Sequence, residues 1–454
     1  MWILGLGSNL GDRLGYLRRA IHLLKSLKSQ GVPFEIEAIS PIYESEALLP
    51  PDAPPSWNLP FLNLALKCQS TLSPGELLRE VKAIEEKMGR IFRGHWAPRE
   101  IDIDLLALGQ TVITEERLSI PHRSLMDRPF AVLPMADLLP EWIHPGSGPY
   151  SGMSLQRRIS QWREESAQGD LPFGTQRSQK TFTELMGISN LTPDSFSDGG
   201  ELSSHEAFLN RTTEWVHSGI RIFDLGAEST RPGATFVSAE EEIARLTPHL
   251  HNIKTRHTHT LDPVLISIDT RHPKTARWAI QQGAHWINDV SGLSHPDMIE
   301  VIADSNCDAV FMHSLSVPAD RHLLMPAHLN PVDEILNWAE RRLVELSQKG
   351  IARERLIFDP GIGFGKTLQQ NWQILKECHK FHALGVRILI GHSRKSFLNV
   401  MSSKPFRDRD VETASLSIHL CGQGIDYLRV HHPILNQSAM TSWSLVQGVA
   451  SCRA

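Results

Sequence analysis

Apolar and polar positions repeat with different periods in the two parts of this chain. In the first part, to about residue 163, short elements of both kinds are mixed. The apolar run Met1–Gly5 reads as a strand and Arg13–Lys28 as a helix. Phe34–Tyr43 and Phe61–Gln69 read as further strands. Pro74–Met88 has a helical period, with Ser73 as N-cap and Pro74 in the first helical position. The alternation Arg99-Glu-Ile-Asp102-Ile-Asp104, running into Leu105–Leu108, reads as a strand entering a core. Leu48–Pro60 is dense in proline and reads as a loop. This order predicts an α+β domain over residues 1–163, a ferredoxin-like sandwich with helices on a mostly antiparallel sheet.

Residues 164–180 are rich in charge, glycine and small side chains without a sustained apolar period, and read as a linker. Over residues 181–454 eight short apolar runs alternate with helical patterns: Leu185–Ser189, Arg221–Gly226, Val264–Asp269, Trp286–Val290, Ala309–His313, Leu356–Asp359, Arg387–Gly391 and Tyr427–His431. Strands alternating with helices imply parallel βαβ units, and eight of them imply an α/β (β/α)8 TIM barrel. Polar residues stand where the runs end, including Asn190, Asp224, Asp269, Asn288, Asp289, His313, Asp359, Ser393, Lys395, Arg429 and His431. Active sites of such barrels lie at the C-terminal ends of the strands.

On the Ile/Asp strand, period 2 sends Asp102 and Asp104 to one face. Two close carboxylates raise each other's pKa, and a hard cation such as Mg2+ would keep both ionised. Arg93, Trp96 and Arg99 lie just upstream, and metal plus arginines suits a polyphosphate. A solvated edge strand explains the same residues equally well.

The chain has 454 residues, more than one core usually holds, and a net charge of −5, which argues against a nucleic-acid partner. Its five cysteines are scattered without CxxC spacing, as in a reducing cytoplasmic protein without structural zinc. The start lacks a signal-peptide pattern, and no apolar run reaches membrane-spanning length. Gly5-Leu-Gly7-Ser-Asn-Leu-Gly11 misses the dinucleotide-binding spacing by one residue. Gly361-Ile-Gly-Phe-Gly365-Lys366-Thr367 is one residue short of a P-loop.

The first segment resembles the 6-hydroxymethyl-7,8-dihydropterin pyrophosphokinase family. The resemblance rests on Gly5-Leu-Gly7-Ser-Asn9-Leu, Phe61-Leu-Asn63, Gly89-Arg90, Trp96-Ala-Pro-Arg99 before Asp102-Ile-Asp104, Pro121-His122 and Arg128-Pro-Phe130. It implies that Asp102 and Asp104 hold two Mg2+ ions bridging ATP. Asn63, Phe61 and Phe130 would hold the pterin, with Trp96 on a closing lid. Arg90, Arg99, His122 and Arg128 would bind phosphates, and Arg90, Arg93 and Arg99 would be catalytic. The sequence departs from the family pattern in the proline-rich loop and in a short Arg90–Trp96 lid.

The second segment resembles dihydropteroate synthase, on Gly187-Ile-Ser-Asn190-Leu-Thr-Pro-Asp-Ser-Phe-Ser-Asp-Gly-Gly200, Gly226-Ala-Glu-Ser-Thr230-Arg231-Pro232-Gly233, Ser267-Ile-Asp269-Thr, Ile287-Asn288-Asp289, Asp359-Pro-Gly-Ile-Gly-Phe364-Gly-Lys366, Ser393-Arg-Lys395 and Arg429-Val-His431. The resemblance implies that Asp269, Asn288, Asp359 and Lys395 read the pterin. Asn190, Arg231, Arg429 and His431 would bind pyrophosphate, with one Mg2+ at Asn190. Thr230, Pro232, Phe364 and Ser393 would border p-aminobenzoate, and Lys395 and Arg231 would be catalytic. His313 followed by Ser-Leu-Ser, His392 and His432 depart from the family pattern.

Together the two resemblances imply a bifunctional folate-biosynthesis enzyme, with ATP, hydroxymethyldihydropterin and p-aminobenzoate as its small-molecule partners, without a nucleic-acid or membrane partner. A homodimer through the second segment is expected on the same ground. Two rivals are a pterin-binding methyltransferase serving a corrinoid, and a chain in which one segment has become a non-catalytic module.

Overall fold

The structure, a computed structural model, describes residues 1–29, 31–116, 118–166, 168–178, 182–191, 205–229, 235–256, 263–320, 322–401, 405 and 408–450. Met1–Phe182 and Thr183–Gln447 are two compact units.

In the first unit, β1 (Trp2–Ser8) pairs antiparallel with β4 (Phe61–Ser70) on one side and β5 (Asp102–Leu108) on the other. The far side of β4 carries both β2 (Phe34–Ile39) and β3 (Tyr43–Ser45), and β3 carries β8 (Gln176–Arg177). A short hairpin, β6 (Ile113–Thr114) and β7 (Ser119–Ile120), stands apart. Helices α1 (Arg13–Ser29) and α2 (Pro74–Lys87) cover one face. There Leu17, Leu24, Leu77 and Val81 pack on Leu4, Leu6, Ile103 and Leu105. Helices α3 (Pro129–Leu138) and α4 (Leu155–Glu165) cover part of the other face, through Val132, Met135 and Ile159 against Ile3, Ala65 and Leu106. Ile103 and Leu105 point into the first core, so the strand pleat turns Asp102 and Asp104 to the opposite face. A reciprocal capping box starts α2: Glu76 N–H donates to Ser73 Oγ and Ser73 N–H to the Glu76 carboxylate.

Two segments differ from the sequence reading. Phe34–Tyr43 is two strands, because Pro41 has no N–H to pair, and Ser40 Oγ instead accepts from Ala65 N–H at 2.9 Å. Part of the stretch read as a linker belongs to the first unit: α4 runs to Glu165, and Gln176–Arg177 add an edge strand to Tyr43–Glu44. Two paired residues are too few to show a period.

The second unit is a closed parallel barrel. Its strands are β9 (Glu184–Asn190), β10 (Ile222–Gly226), β11 (Leu265–Asp269), β12 (Trp286–Asp289), β13 (Asp308–Met312), β14 (Leu356–Asp359), β15 (Arg387–Ile390) and β16 (Tyr427–Val430). Helices α5 (His205–His217), α6 (Ala239–Arg256), α7 (Pro273–Gln281), α8 (Pro296–Ala303), α9 (Pro331–Gln348), α10 (Leu368–Glu377), α11 (Asp410–Gly422) and α12 (Pro433–Ala450) follow successive strands. One residue from each strand fills the interior: Met186, Ile222, Leu265, Trp286, Val310, Ile357, Leu389 and Tyr427. Two residues further along each strand, the same inward side carries Asp224, Ser267, Asn288, Asp359 and Arg429. The apolar plug thus supports a polar mouth.

Among the described residues, no helix is long and apolar enough to cross a membrane.

Candidate functional site

Each unit carries its own cluster of chemical side chains. In the first, β1 crosses the floor of an open cleft. The register sets Gly7 between Asn63 and Asp102, and Gly5 opposite Asp104. A Cβ on Gly7 would stand 3.1 Å from Asn63 Oδ1 and 3.6 Å from the Phe61 ring. Glycine therefore keeps the floor low where a ligand would lie.

Phe61, Asn63, Trp96, Arg99, Asp102, Asp104, His122, Arg128 and Phe130 all line this cleft. Asp102 accepts from Arg90 Nη1 and Arg99 Nη1, each at 2.7 Å. Burial opposes its charge, but these guanidiniums hold its carboxyl below the usual range. Among the described residues Asp104 has only Arg128 within ion-pair reach, at 4.0 Å, and burial together with Asp102 pushes its carboxyl up to about 6. Arg128, which lines the cleft, also buries an Nε–H that has no hydrogen-bond partner among the described residues. Burial, with the Arg128 and Arg123 cations, pushes His122 down to about 4. Its Nδ1 accepts from Ser124 N–H at 3.3 Å, so the neutral ring carries its proton on Nε2.

Arg93 is not brought into the cleft. It makes a two-bond pair with Glu100, at 2.6 and 3.0 Å.

Three residues here have a role that sequence reasoning did not assign. Glu85, buried on α2, holds Arg90 Nη1 at 2.5 Å, Lys82 at 2.7 Å and the Ile103 N–H at 2.7 Å. Ser45 Oγ accepts from Asn63 Nδ2 at 3.1 Å. Asn9 is buried and joins two loops: Oδ1 accepts from Arg99 N–H at 2.8 Å, and Nδ2 donates to Leu59 O at 3.1 Å. The three-residue offset of Lys82 and Glu85 on one helix face was the only local signal.

In the barrel, register sets Asn190, Gly226, Asp269 and Asn288 side by side at the C-terminal end. Arg429 spans this mouth, with Nε donating to Asp224 Oδ2 at 2.5 Å and Nη2 to Asp269 Oδ2 at 2.6 Å. Burial pushes Asp269 up to about 7, against the pull of Arg429. Asp224, fully buried, also takes Ser267 Oγ at 2.6 Å and Asn288 Nδ2 at 3.5 Å. It is the anchor of the network, while Asp289 serves a turn by accepting from Ser291 and Leu293 N–H.

Across the mouth, Asp359 Oδ1 accepts from Gly361 N–H at 2.7 Å. Burial raises its pKa and Lys395 opposes the rise. Burial pulls Lys395 down to about 8, against Asp359. The Lys395 ammonium donates to Ile362 O and lies 4.9 Å from the Phe364 ring centre. Ser393 Oγ pairs with His431 Nδ1 at 3.0 Å. Thr230, Arg231 and Pro232 lie outside the described residues, as does the loop beyond Leu191. Of the departures, His392 is buried on Ser417 Oγ at 3.0 Å, His313 contacts Lys366, and His432 Nδ1 accepts from Leu435 N–H.

Comparison with known proteins covers both units. The family model for 7,8-dihydro-6-hydroxymethylpterin-pyrophosphokinase matches residues 3–140, and that for pterin binding enzymes matches residues 186–431. A folate synthesis bifunctional protein of Chlamydia muridarum is 37% identical over 452 residues, covering 97% of each chain. One from Arabidopsis thaliana is 33% identical, over 95% of this chain and 92% of its own. Among solved structures, dihydropteroate synthase from Anaplasma phagocytophilum with bound 6-hydroxymethylpterin-monophosphate aligns with a TM-score of 0.53 and 34% identity, covering 59% of this chain and 100% of that one. The Yersinia pestis synthase in a sulfonamide complex aligns with a TM-score of 0.54 and 30% identity, over 58% of this chain and 94% of its own.

Proposed function

This chain belongs to the folate synthesis bifunctional proteins, and on that premise we propose which residues perform each of its two steps. The family activity is pyrophosphoryl transfer from ATP to 6-hydroxymethyl-7,8-dihydropterin, then condensation with p-aminobenzoate to 7,8-dihydropteroate. Full-length similarity to bifunctional relatives favours the synthase over a corrinoid-linked methyltransferase.

We assign the first step to residues 1–163 and the second to 181–454. One observation carries the first assignment: anion-binding groups (Arg99, His122, Arg128) and ring-stacking groups (Phe61, Phe130) line the same cleft as Asp102 and Asp104. A flat pterin stacks on aromatic rings, Asn63 fixes its edge, and the cations spread the charge of the transferring group. Neutral His122 donates through Nε2. Arg93 would have to leave Glu100 to reach phosphate, which suits a lid residue that engages only on closure.

The Asp pair fits Mg2+: two oxygen donors on one strand face, one of them without a close cation of its own. Bound there, such ions would neutralise polyphosphate and polarise its bridging oxygens. Asn190 offers a single amide oxygen to the cation proposed in the barrel.

In the barrel, the carboxylate of Asp359 accepts the adjacent N–H groups of the aminopterin, with Asp269, Asn288 and Lys395 completing the edge. The aniline nitrogen of p-aminobenzoate, bordered by Phe364 and Ser393 with Thr230 and Pro232, displaces pyrophosphate from the pterin methylene. The C–N bond forms as the C–O bond breaks, and the nitrogen then loses a proton. Arg429 and His431, with Arg231, stabilise the departing anion; Arg429 is oriented in advance by Asp224 and Asp269.

The compartment we propose is the cytoplasm, since Cys68, Cys307, Cys378 and Cys421 are free thiols. A homodimer through the barrel is proposed from the resemblance to the synthase family alone, and sedimentation would test it.

Asp102→Ala tests the division of labour. Pyrophosphorylation should be lost, while the barrel still converts supplied pterin pyrophosphate. A wild-type first-step rate would overturn the assignment of Asp102, and the non-catalytic rival would return if the wild-type chain lacked either step.

A further inference from the structure

The near-P-loop Gly361-Ile-Gly-Phe-Gly365-Lys366-Thr367 ends in a lysine that turns inward. Lys366 is buried at 5% exposure, and its Nζ lies 2.9 Å from His313 Nδ1, 2.9 Å from His313 O and 2.8 Å from Gly361 O. Its three hydrogen-bond partners are uncharged, and the charge that favours its protonation is that of Asp359, which works against the burial that lowers its pKa. Burying a lysine amine this deeply costs stability unless its donors are met, and here they are spent on the mouth of the barrel.

His313 follows β13 and Gly361 follows β14, so one nitrogen ties two adjacent loops of the mouth together. The loops are already in close contact: a Cβ on Gly361, whose φ is +69°, would fall 2.0 Å from His313 O. Only glycine passes there. Gly361 N–H is the donor to Asp359 Oδ1, at 2.7 Å, and the next carbonyl, Ile362 O, accepts from Lys395. Asn371 closes the loop from below, accepting from Gly363 N–H at 2.7 Å and donating to Lys366 O at 3.3 Å. The Gly361–Ile362 peptide that Lys366 holds therefore lies between the peptide that donates to Asp359 and the one that accepts from Lys395.

We propose that Lys366 is a positioning residue for pterin recognition in the barrel, acting through the Gly361 and Ile362 peptides on Asp359 and Lys395. This rests on the reading of Asp359 as the pterin acceptor. Lys366 itself need not touch substrate.

The test measures the Kd of 6-hydroxymethylpterin monophosphate and the steady-state constants of the synthase step, in the full chain, for Lys366→Met, His313→Asn, His313→Leu and Asp359→Asn. Methionine fills the lysine's space without its bonds. Lys366→Met should weaken pterin binding about tenfold to a hundredfold, as loss of two or three buried hydrogen bonds would, with KM for the pterin rising more than kcat falls. Thermal stability of the barrel should fall, because His313 O and Gly361 O are left buried without their donor. A merely structural lysine would lower stability in the same way but leave the pterin Kd alone. His313→Asn keeps an acceptor near the Nδ1 position and should bind pterin within about threefold of wild type, while His313→Leu should follow Lys366→Met. If Lys366→Met does not fold, this histidine pair decides: equal binding by both variants would overturn the proposal. An unchanged Kd in folded Lys366→Met, beside a weakened Asp359→Asn, would overturn it and leave the pterin reading intact. An unchanged Kd in Asp359→Asn would overturn both.

Discussion

Replacing Asp359 by asparagine changes almost no volume and removes one charge. In the structure, one oxygen of this carboxylate takes Gly361 N–H at 2.7 Å. The other lies near Gly391, where a Cβ would stand 3.6 Å from Asp359 Oδ2 and 3.9 Å from Lys395 Nζ. An amide has one acceptor where the carboxylate has two. If its oxygen keeps Gly361, its NH2 faces the pterin's own N–H groups; if it turns, NH2 opposes Gly361 N–H. Either way one charge-assisted bond is lost and one donor faces a donor. Bonds to charged groups are worth about 1.5–3 kcal/mol, and a buried unmet donor costs about as much, so about 3–4 kcal/mol should vanish from pterin recognition. At about 1.4 kcal/mol per decade this is about 10²- to 10³-fold in kcat/KM. The assay follows dihydropteroate from supplied pterin pyrophosphate and p-aminobenzoate, with the ATP-dependent step of the same preparation as control. That control should be unchanged, and unfolding temperature should hold because a desolvated charge has been removed. A synthase kcat/KM within threefold of wild type would refute the assignment, and parallel loss of both steps would point to misfolding instead.

Three further outcomes follow from the geometry. Burial holds His313 at about 3 and His392 at about 4, against an ordinary value of 6.5. The unfolded chain therefore binds more protons than the folded one between pH 6.5 and about 4, and barrel stability should fall as pH drops through that window, by about 1.4 kcal/mol per pH unit per histidine. Chemical denaturation at a series of pH values reads this, and His392→Asn should flatten the slope. Gly187→Ala would put a Cβ 2.3 Å from the Trp215 ring; it should destabilise the barrel by about 1–3 kcal/mol, seen by calorimetry, with the first step unaffected in folded protein. Asn9→Ala frees both Arg99 N–H and Leu59 O and should slow pyrophosphoryl transfer about tenfold, whereas Asn9→Asp keeps the acceptor for Arg99 and should recover part of that rate.

Legibility in the sequence varied with the physical signal. The eight barrel strands fall within a residue or two of the apolar runs, since parallel strands buried on both faces read as continuous hydrophobic stretches. The shared face of Asp102 and Asp104 follows from period 2 alone. Edge strand Gln176–Arg177 has no such signal, and its surroundings look like a linker. Partners joined outside a regular period are also invisible: Arg93 with Glu100 across a loop, Glu85 beneath Arg90 and, far apart in sequence, Asp224 beneath Arg429. Asp224 stands at a strand end among other polar residues, and only the structure separates this anchor from the residues that face the open mouth. Family resemblance named more site residues than pattern did, but it gave Lys366 no role, since that role depends on which carbonyls it reaches.

The central claim is that two independent sites, one per unit, act in sequence on one pterin. Mixing Asp102→Ala and Asp359→Asn chains in ATP, Mg2+, hydroxymethyldihydropterin and p-aminobenzoate tests it directly. Each variant alone should make little dihydropteroate, and the mixture should restore its formation, because pterin pyrophosphate made by one chain can be used by the other. A mixture no more active than its components, with each single step intact in the complementary chain, would contradict the account.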